Sequence, residues 1–371
     1  MNPLPFILLA ISLPLLLGSV CNAELRTWTA VNGKELEAEF VSNEKGIVKL
    51  KLKSGKVFEV PANKLSKADQ EFLKAKSSTK EPTKEETPLN PNLKYEVKDS
   101  AVTITRCDKK ASGALTIPAT FEGNPVTSIG DYVFYACTSL TSITIPDGVT
   151  SIGNGAFRSC SSLTSITIAE SVTSIGNGAF SGCKGLTSIT IPDGVTSIGN
   201  GAFRSCSSLT SITIPVGVTS IGDEAFSWCK SLTSITIPDS VTSIGSSAFN
   251  ECSRLTSITI PDSVTIIERN AFSSCTSLTS ITIPDGVTSI GRRAFGGCAS
   301  LTSITIPDGV TSIGVSAFSS CHGLTSLTIP DSVTMIGFAA FENCSNLTSI
   351  TIPDGVTSIG EGTFAMGESL T

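Results

Sequence analysis

From Leu140 onward, apolar residues recur on a fixed period of 23 residues without insertion or deletion. Leucine opens the unit at 140, 163, 186, 209, 232, 255, 278, 301, 324 and 347, giving ten complete copies to Ser369 and the start of another at Leu370. In the copy Leu186–Ser208 the apolar positions are Leu186, Ile189, Ile191, Val195, Ile198, Ala202, Phe203 and Cys206. The first three predict a short strand with Ile189 and Ile191 turned inward and Ser188 and Thr190 outward. Pro192-Asp193-Gly194 predicts a turn, Val195 and Ile198 open the return path, and Ala202-Phe203-x-x-Cys206 closes it in an irregular or helical turn. Such a unit can bury its apolar side only against its neighbours, so the repeat predicts a solenoid. Ten parallel strands at ~4.8 Å spacing would make a sheet roughly 45 Å long. The phenylalanine and cysteine rows are expected inside, since no other position offers the same apolar size in each copy.

Upstream, the pattern changes three times. Leu4–Leu17 is almost wholly apolar and leads through small residues to Cys21-Asn22-Ala23. That order predicts a signal peptide over 1–23 with cleavage after Ala23, hence a secreted, surface or periplasmic protein. The run is shorter than the ~20 apolar residues of a membrane helix, so no transmembrane segment is expected. Lipidation at Cys21 is the alternative, opposed by the bulky Val20. Over 24–75 apolar and polar residues alternate in the runs Arg26–Val31, Leu36–Val41, Ile47–Leu52 and Val57–Pro61, parted by turn signals at Asn32-Gly33, Asn43–Gly46 and Ser54-Gly55. Ser66-Lys67-Ala68-Asp69 predicts the cap of a short helix through Phe72 and Leu73. Residues 76–92 are charged and proline-bearing, as in a flexible linker. Residues 93–139 are expected to cap the solenoid that occupies 140–371.

Two resemblances follow. Arg26-Thr-Trp-Thr, the Gly33 turn, Glu37-Ala38-Glu39-Phe40, Val48-x-Leu50, Gly55-Lys56 and Leu65-Ser66-x-x-Asp69 resemble Sla homology domain one. The resemblance implies a small SH3-like β-barrel. That family's recognition of Asn-Pro-Phe peptides is not carried over, because its binding residues find no one-to-one match here. Trp28 is read as core, with a ligand platform as the alternative. The motif Ile-Pro-Asp-Gly-Val-Thr-Ser-Ile-Gly-x-x-Ala-Phe-x-x-Cys resembles the BspA-like leucine-rich-repeat family, with a parallel β-sheet in its solenoid. Tyr95-Glu-Val, Ala101–Thr105, Ala114–Pro118 and Val126–Gly130 are similar to its amino-terminal cap. The resemblance implies a surface or secreted protein linked to adhesion. The carboxyl end carries no recognisable sorting signal or polar cap, so its last core layer is expected to be exposed.

Composition narrows the chemistry. Charged residues make up only 16 % of the chain, there is one histidine, and the net charge is −6. Nucleic acid is therefore not an expected partner. The stretch Glu24–Lys94 is mildly basic and the remainder mildly acidic. No nucleophile–base–acid grouping, Gly-x-Ser-x-Gly elbow or phosphate loop is present, so no enzyme and no cofactor is expected.

Four rows remain. Cysteines at 137, 160, 183, 206, 229, 252, 275, 298, 321 and 344 are read as buried thiols, with disulfides or metal as alternatives. The turn acids Asp147, Glu170, Asp193, Asp239, Asp262, Asp285, Asp308, Asp331 and Asp354 suit turn chemistry, with calcium as the alternative. The outward hydroxyls Ser165, Thr167, Ser188, Thr190, Ser211, Thr213, Ser234 and Thr236 are the candidate ligand-facing positions for a protein or glycan ligand outside the cytoplasm. Ice is the remote alternative for that strip, since threonine is also a good strand residue. Positions 15, 16, 19, 20, 22 and 23 of the unit vary, as at Asn177-Gly178, Asp223-Glu224, Arg269-Asn270 and Arg292-Arg293, and are expected on a solvated face away from the strands. A passive structural spacer is the rival to the binding role.

Overall fold

The computed structural model describes residues 26–44, 47–53, 56–78 and 90–370. The expected signal peptide, the turns at 45–46 and 54–55, and the linker over 79–89 lie outside the described residues. The chain divides into two compact units, 1–85 and 86–371.

In the first unit, β1 (Arg26–Thr29), β2 (Glu35–Glu44), β3 (Ile47–Lys51) and β4 (Val57–Pro61) form an antiparallel sheet in sequence order. Gly33 makes the β1–β2 turn with φ +78°, a conformation open to glycine at little cost. Trp28 is buried at the centre, stacked on Phe40 at 6.0 Å and edge-on to Phe72 at 5.7 Å, and its indole N–H donates to the Ala38 carbonyl. It is therefore a core residue. Helix α1 (Lys67–Ser78) starts on the predicted cap and runs past the expected boundary at Ala75. The Ser66 hydroxyl accepts from the Asp69 N–H at 3.1 Å and donates to its carboxylate at 2.8 Å. Asp69 also accepts from the Thr29 N–H and from Arg26, so one buried carboxylate ties β1 to the helix cap. A bridge between Ala30 and Leu65 closes the sheet toward a barrel, an arrangement that fits an SH3-like module.

The second unit is the solenoid. Strands β5 (Leu93–Lys98) and β6 (Ala101–Cys107) form an antiparallel hairpin, and β6 then pairs in parallel with β9 (Asn124–Ile129). The strand β7 (Ser112–Thr116) pairs in parallel with the strand Ser139–Thr144, and the short β8 (Thr120–Phe121) pairs antiparallel with β9. Regular coils follow, each with a short strand at unit positions 3–5 (3–4 in the coils of Ser234 and Ser257) and a two-residue strand at 12–13. The parallel register is one unit per coil, Ser188 on Ser211 and Ile198 on Ile221. The strand ladder is broken into short sheets rather than running as one continuous sheet.

Backbone hydrogen bonds run both ways along the axis. In most coils positions 2, 11 and 14 donate to the coil before, as Thr164 to Thr141, Thr173 to Thr150 and Gly176 to Ile152. Positions 16, 18 and 20 donate to the coil after, as Gly178 to Asn200, Phe180 to Ala202 and Gly182 to Arg204. Every coil thus bonds to both neighbours, as buried backbone groups require.

The interior is the one expected. The core phenylalanines from Phe134 to Phe341, the cysteines from Cys137 to Cys344 and their aliphatic neighbours are buried. Adjacent rings from Phe134 to Phe364 lie 5.0–5.8 Å apart and within 9° of parallel. Offset stacking of this kind avoids face-on quadrupole repulsion. Burial falls at the last coil, where Ile350, Ile352, Val356, Phe364 and Leu370 are half-buried and Ile359 is exposed.

The variable positions depart from expectation. Ser227, Ser273 and Ser319 at position 19 are buried rather than solvated, because the Phe-bearing turn folds that position under the next coil. Positions 16 and 20 hold left-handed backbone in every coil, with φ of +53° to +66° at 16 and +56° to +78° at 20. Side chains vary there, but the conformation does not.

Candidate functional site

The strand face is built from the alternation of Ser-Ile-Thr. The isoleucine of each strand enters the core, so the flanking serine and threonine point to solvent. Ser165, Thr167, Ser188, Thr190, Ser211, Thr213, Ser234 and Thr236 are all exposed. In-register pairing stacks serine on serine and threonine on threonine: Ser142 with Ser165, Thr190 with Thr213, and Thr213 with Thr236. The eight candidates therefore come together as two parallel columns on one face.

Their hydroxyls differ from other threonines of the coil. At position 2, Thr164, Thr210 and Thr233 donate to the carbonyl of the matching threonine one coil back, at 3.0, 3.1 and 3.4 Å. At position 11, Thr173, Thr219 and Thr242 do the same. Among the described residues the eight strand-face hydroxyls make no hydrogen bond within the protein, and their bonding capacity faces outward.

A second surface lies on the flank, at the variable positions expected on a solvated face. Asn154, Asn177 and Asn200 each accept, through Oδ1, the N–H of the residue at position 15 in the next coil, at 2.9, 2.8 and 2.9 Å. Asp131 and Asp223 bracket this ladder in the same way, at 2.6 and 2.7 Å. Beside it runs a groove of about 490 Å³, with Tyr132 at one end and the Arg204–Glu224 ion pair at the other. The signal in the sequence was the recurrence of Asn-Gly at positions 15 and 16.

The remaining rows are placed as follows. The nine turn acids are all exposed, along the turn that leaves the strand. Serine at position 9, as in Ser171, Ser240 and Ser332, donates instead to the valine carbonyl of the coil before, at 2.6–2.7 Å. Each thiol from Cys160 to Cys344 donates to a phenylalanine carbonyl of the preceding coil, at 3.0–3.2 Å. Burial pushes Cys160 and Cys229 up to about 12 and Cys344 up to about 11. These are neutral thiols in a dry interior. His322 Nδ1 lies 3.4 Å from the Ser345 hydroxyl, the residue one coil on, and no carboxylate bonds to the ring among the described residues. No helix among the described residues is long and apolar enough to cross a membrane.

Comparison with known proteins places these features. The BspA type leucine rich repeat region matches residues 127–256 and 242–371, and SLA1 homology domain 1 matches residues 21–81. A leucine rich cell surface protein of Faecalibacterium prausnitzii is 34 % identical, covering 76 % of this chain and 92 % of its own, with a TM-score of 0.51. The pneumococcal vaccine antigen PcpA is 21 % identical, covering 76 % of this chain and 85 % of its own, with a TM-score of 0.52, a likeness of fold. Among curated proteins no match is found.

Proposed function

The chain belongs to the BspA-type leucine-rich-repeat family, and from that premise we propose that this repeat scaffold is exported and captures a protein or glycan ligand on its strand face. The observation that carries the reading is the pair of exposed hydroxyl columns whose hydrogen bonds are not used inside the fold. A face of that kind offers two hydroxyls per coil, repeated in register along the columns. A ligand with repeating polar groups gains avidity from the number of coils it spans, with no deep pocket. The description of the Faecalibacterium relative as a cell surface protein supports a location outside the cytoplasm.

The test uses the chain from Glu24 onward, immobilised and probed with a glycan array and a panel of extracellular proteins. Capture is expected, and the triple substitution Thr167→Lys, Thr190→Lys, Thr213→Lys should weaken it at least tenfold, about 1.4 kcal/mol. Arg292→Ser, on the flank, should leave it unchanged. A wild-type chain that captures nothing is a passive spacer. Export is read separately, from a mature protein whose mass begins at Glu24.

A further inference from the structure

The amino-terminal end of the thiol row differs from the rest. From Cys160 onward each thiol donates to a phenylalanine carbonyl one coil back. Cys137, near the end of the cap, instead turns its Sγ to the Asp108 carbonyl at 3.8 Å. Cys107, the last residue of β6, turns to the same carbonyl at 3.5 Å. The Cys107 N–H donates to the Val133 carbonyl at 2.9 Å, which holds the strand end against the turn that carries Cys137.

Within the row, stacked cysteines sit at the same unit position, so their side chains run parallel at a coil's spacing. That offset is wrong for the ~3.8 Å Cβ separation of a disulfide. Cys107 and Cys137 come from different elements and converge on one point. We propose that Cys107 and Cys137 form a disulfide, stapling the β5–β6 hairpin to the segment that leads into the first repeat.

The chemistry is that of a dithiol with one activated member. Interaction between the two thiols lowers Cys137 and raises Cys107; burial opposes the shift of Cys137, and Lys109 supports it. Both thiols are buried in the folded chain, so exchange takes place while the β5–β6 hairpin is unseated: the Cys137 thiolate attacks a small-molecule disulfide, forming a mixed disulfide and expelling one thiolate. Cys107 gives its proton to that leaving thiolate and attacks the Cys137 sulfur, expelling the second. Two protein thiols and one external disulfide become one protein disulfide and two external thiols. The oxidant is a disulfide of the kind that oxidising extracytoplasmic compartments maintain. Only that supply rests on the export reading.

The test is done in vitro, so failure of export and failure of this inference are distinguishable. The reduced chain from Glu24 onward is incubated with oxidised glutathione, quenched with acid, alkylated in denaturant, digested and weighed. Of the eleven cysteines in that chain, two should escape alkylation, in one linked pair of peptides containing Cys107 and Cys137. The urea midpoint should rise on oxidation. Cys137→Ser should abolish both changes, and the wild-type peptide map decides the matter should that variant fail to fold. Eleven alkylated thiols, glutathione adducts alone, or a link between row neighbours such as Cys183 and Cys206 would overturn the proposal.

Discussion

At the scale of single residues, the repeat is held by groups whose chemistry the interior suppresses. A thiol is a small apolar side chain with one weak donor, and each from Cys160 to Cys344 gives that donor to a carbonyl. The proton must stay for the fold to stay. In the unfolded chain these thiols ionise near 9.0, whereas in the fold Cys160 and Cys229 hold their protons to about 12. A folded value above the unfolded one means stability that is complete below pH 9 and falls as pH climbs toward 12. The urea midpoint should therefore be flat from pH 7 to 8.5 and drop by pH 10.5, by at most about 1.4 kcal/mol per thiol per pH unit. A midpoint unchanged at pH 10.5 would show that the thiols ionise in place. Positions 16 and 20 carry the opposite lesson. Trp228, Glu251 and Arg293 sit in left-handed backbone, a conformation that costs a non-glycine residue on the order of 1–2 kcal/mol. The intercoil bonds from those N–H groups hold it there.

At the scale of elements, the short strand at positions 12–13 depends on the glycine that follows. A Cβ built on Gly245 would lie 2.5 Å from the Asp223 nitrogen, so the coils touch backbone to backbone there. Position 14 is Glu268 in the next copy. At that point the strands Ser243–Ile244 and Ile266–Ile267 part into different sheets, and among the described residues the Thr265 and Glu268 N–H groups find no partner in the coil before. The substitution Glu268→Gly should let the two strands pair. It is expected to raise stability by about 0.5–1.5 kcal/mol, one backbone hydrogen bond, read as a higher urea midpoint with an unchanged slope. An unchanged or lower midpoint would mean that something other than the side chain parts the sheets. The strands Ser174–Ile175 and Ser197–Ile198 also part, with glycine on both sides and no substitution to explain it.

At the scale of the whole molecule, the period itself is the structural constraint. Each coil bonds and packs only to its neighbours, so one may be removed if the register survives. Excision of Leu209–Ser231, one complete unit, should give a soluble chain with a cooperative unfolding transition. Excision of 209–230, one residue fewer, would put each following leucine a position out of step at the junction, and the transition should broaden or split. Equal behaviour of the two deletions would refute a strict register.

Much of this was open to reading from the chain alone, and the reason is repetition. An apolar residue that returns every 23 positions can have only one environment, so Leu186, Ile189, Phe203 and Cys206 announce a common interior, and the strand-face hydroxyls follow from alternation with Ile189. The capping of α1 by Ser66 and Asp69 was equally legible, being a contact between residues three apart. What the chain could not tell by itself is whatever depends on the backbone of a neighbouring coil. The left-handed residues under variable side chains, the buried serines at position 19, the asparagine ladder and the sheet break beside Glu268 are set by bonds to residues 22 to 24 positions away. The meeting of Cys107 with Cys137 depends likewise on how the β5–β6 hairpin folds back on the end of the cap. Local pattern determines which way a side chain faces; only the stacking of coils decides which backbone it meets.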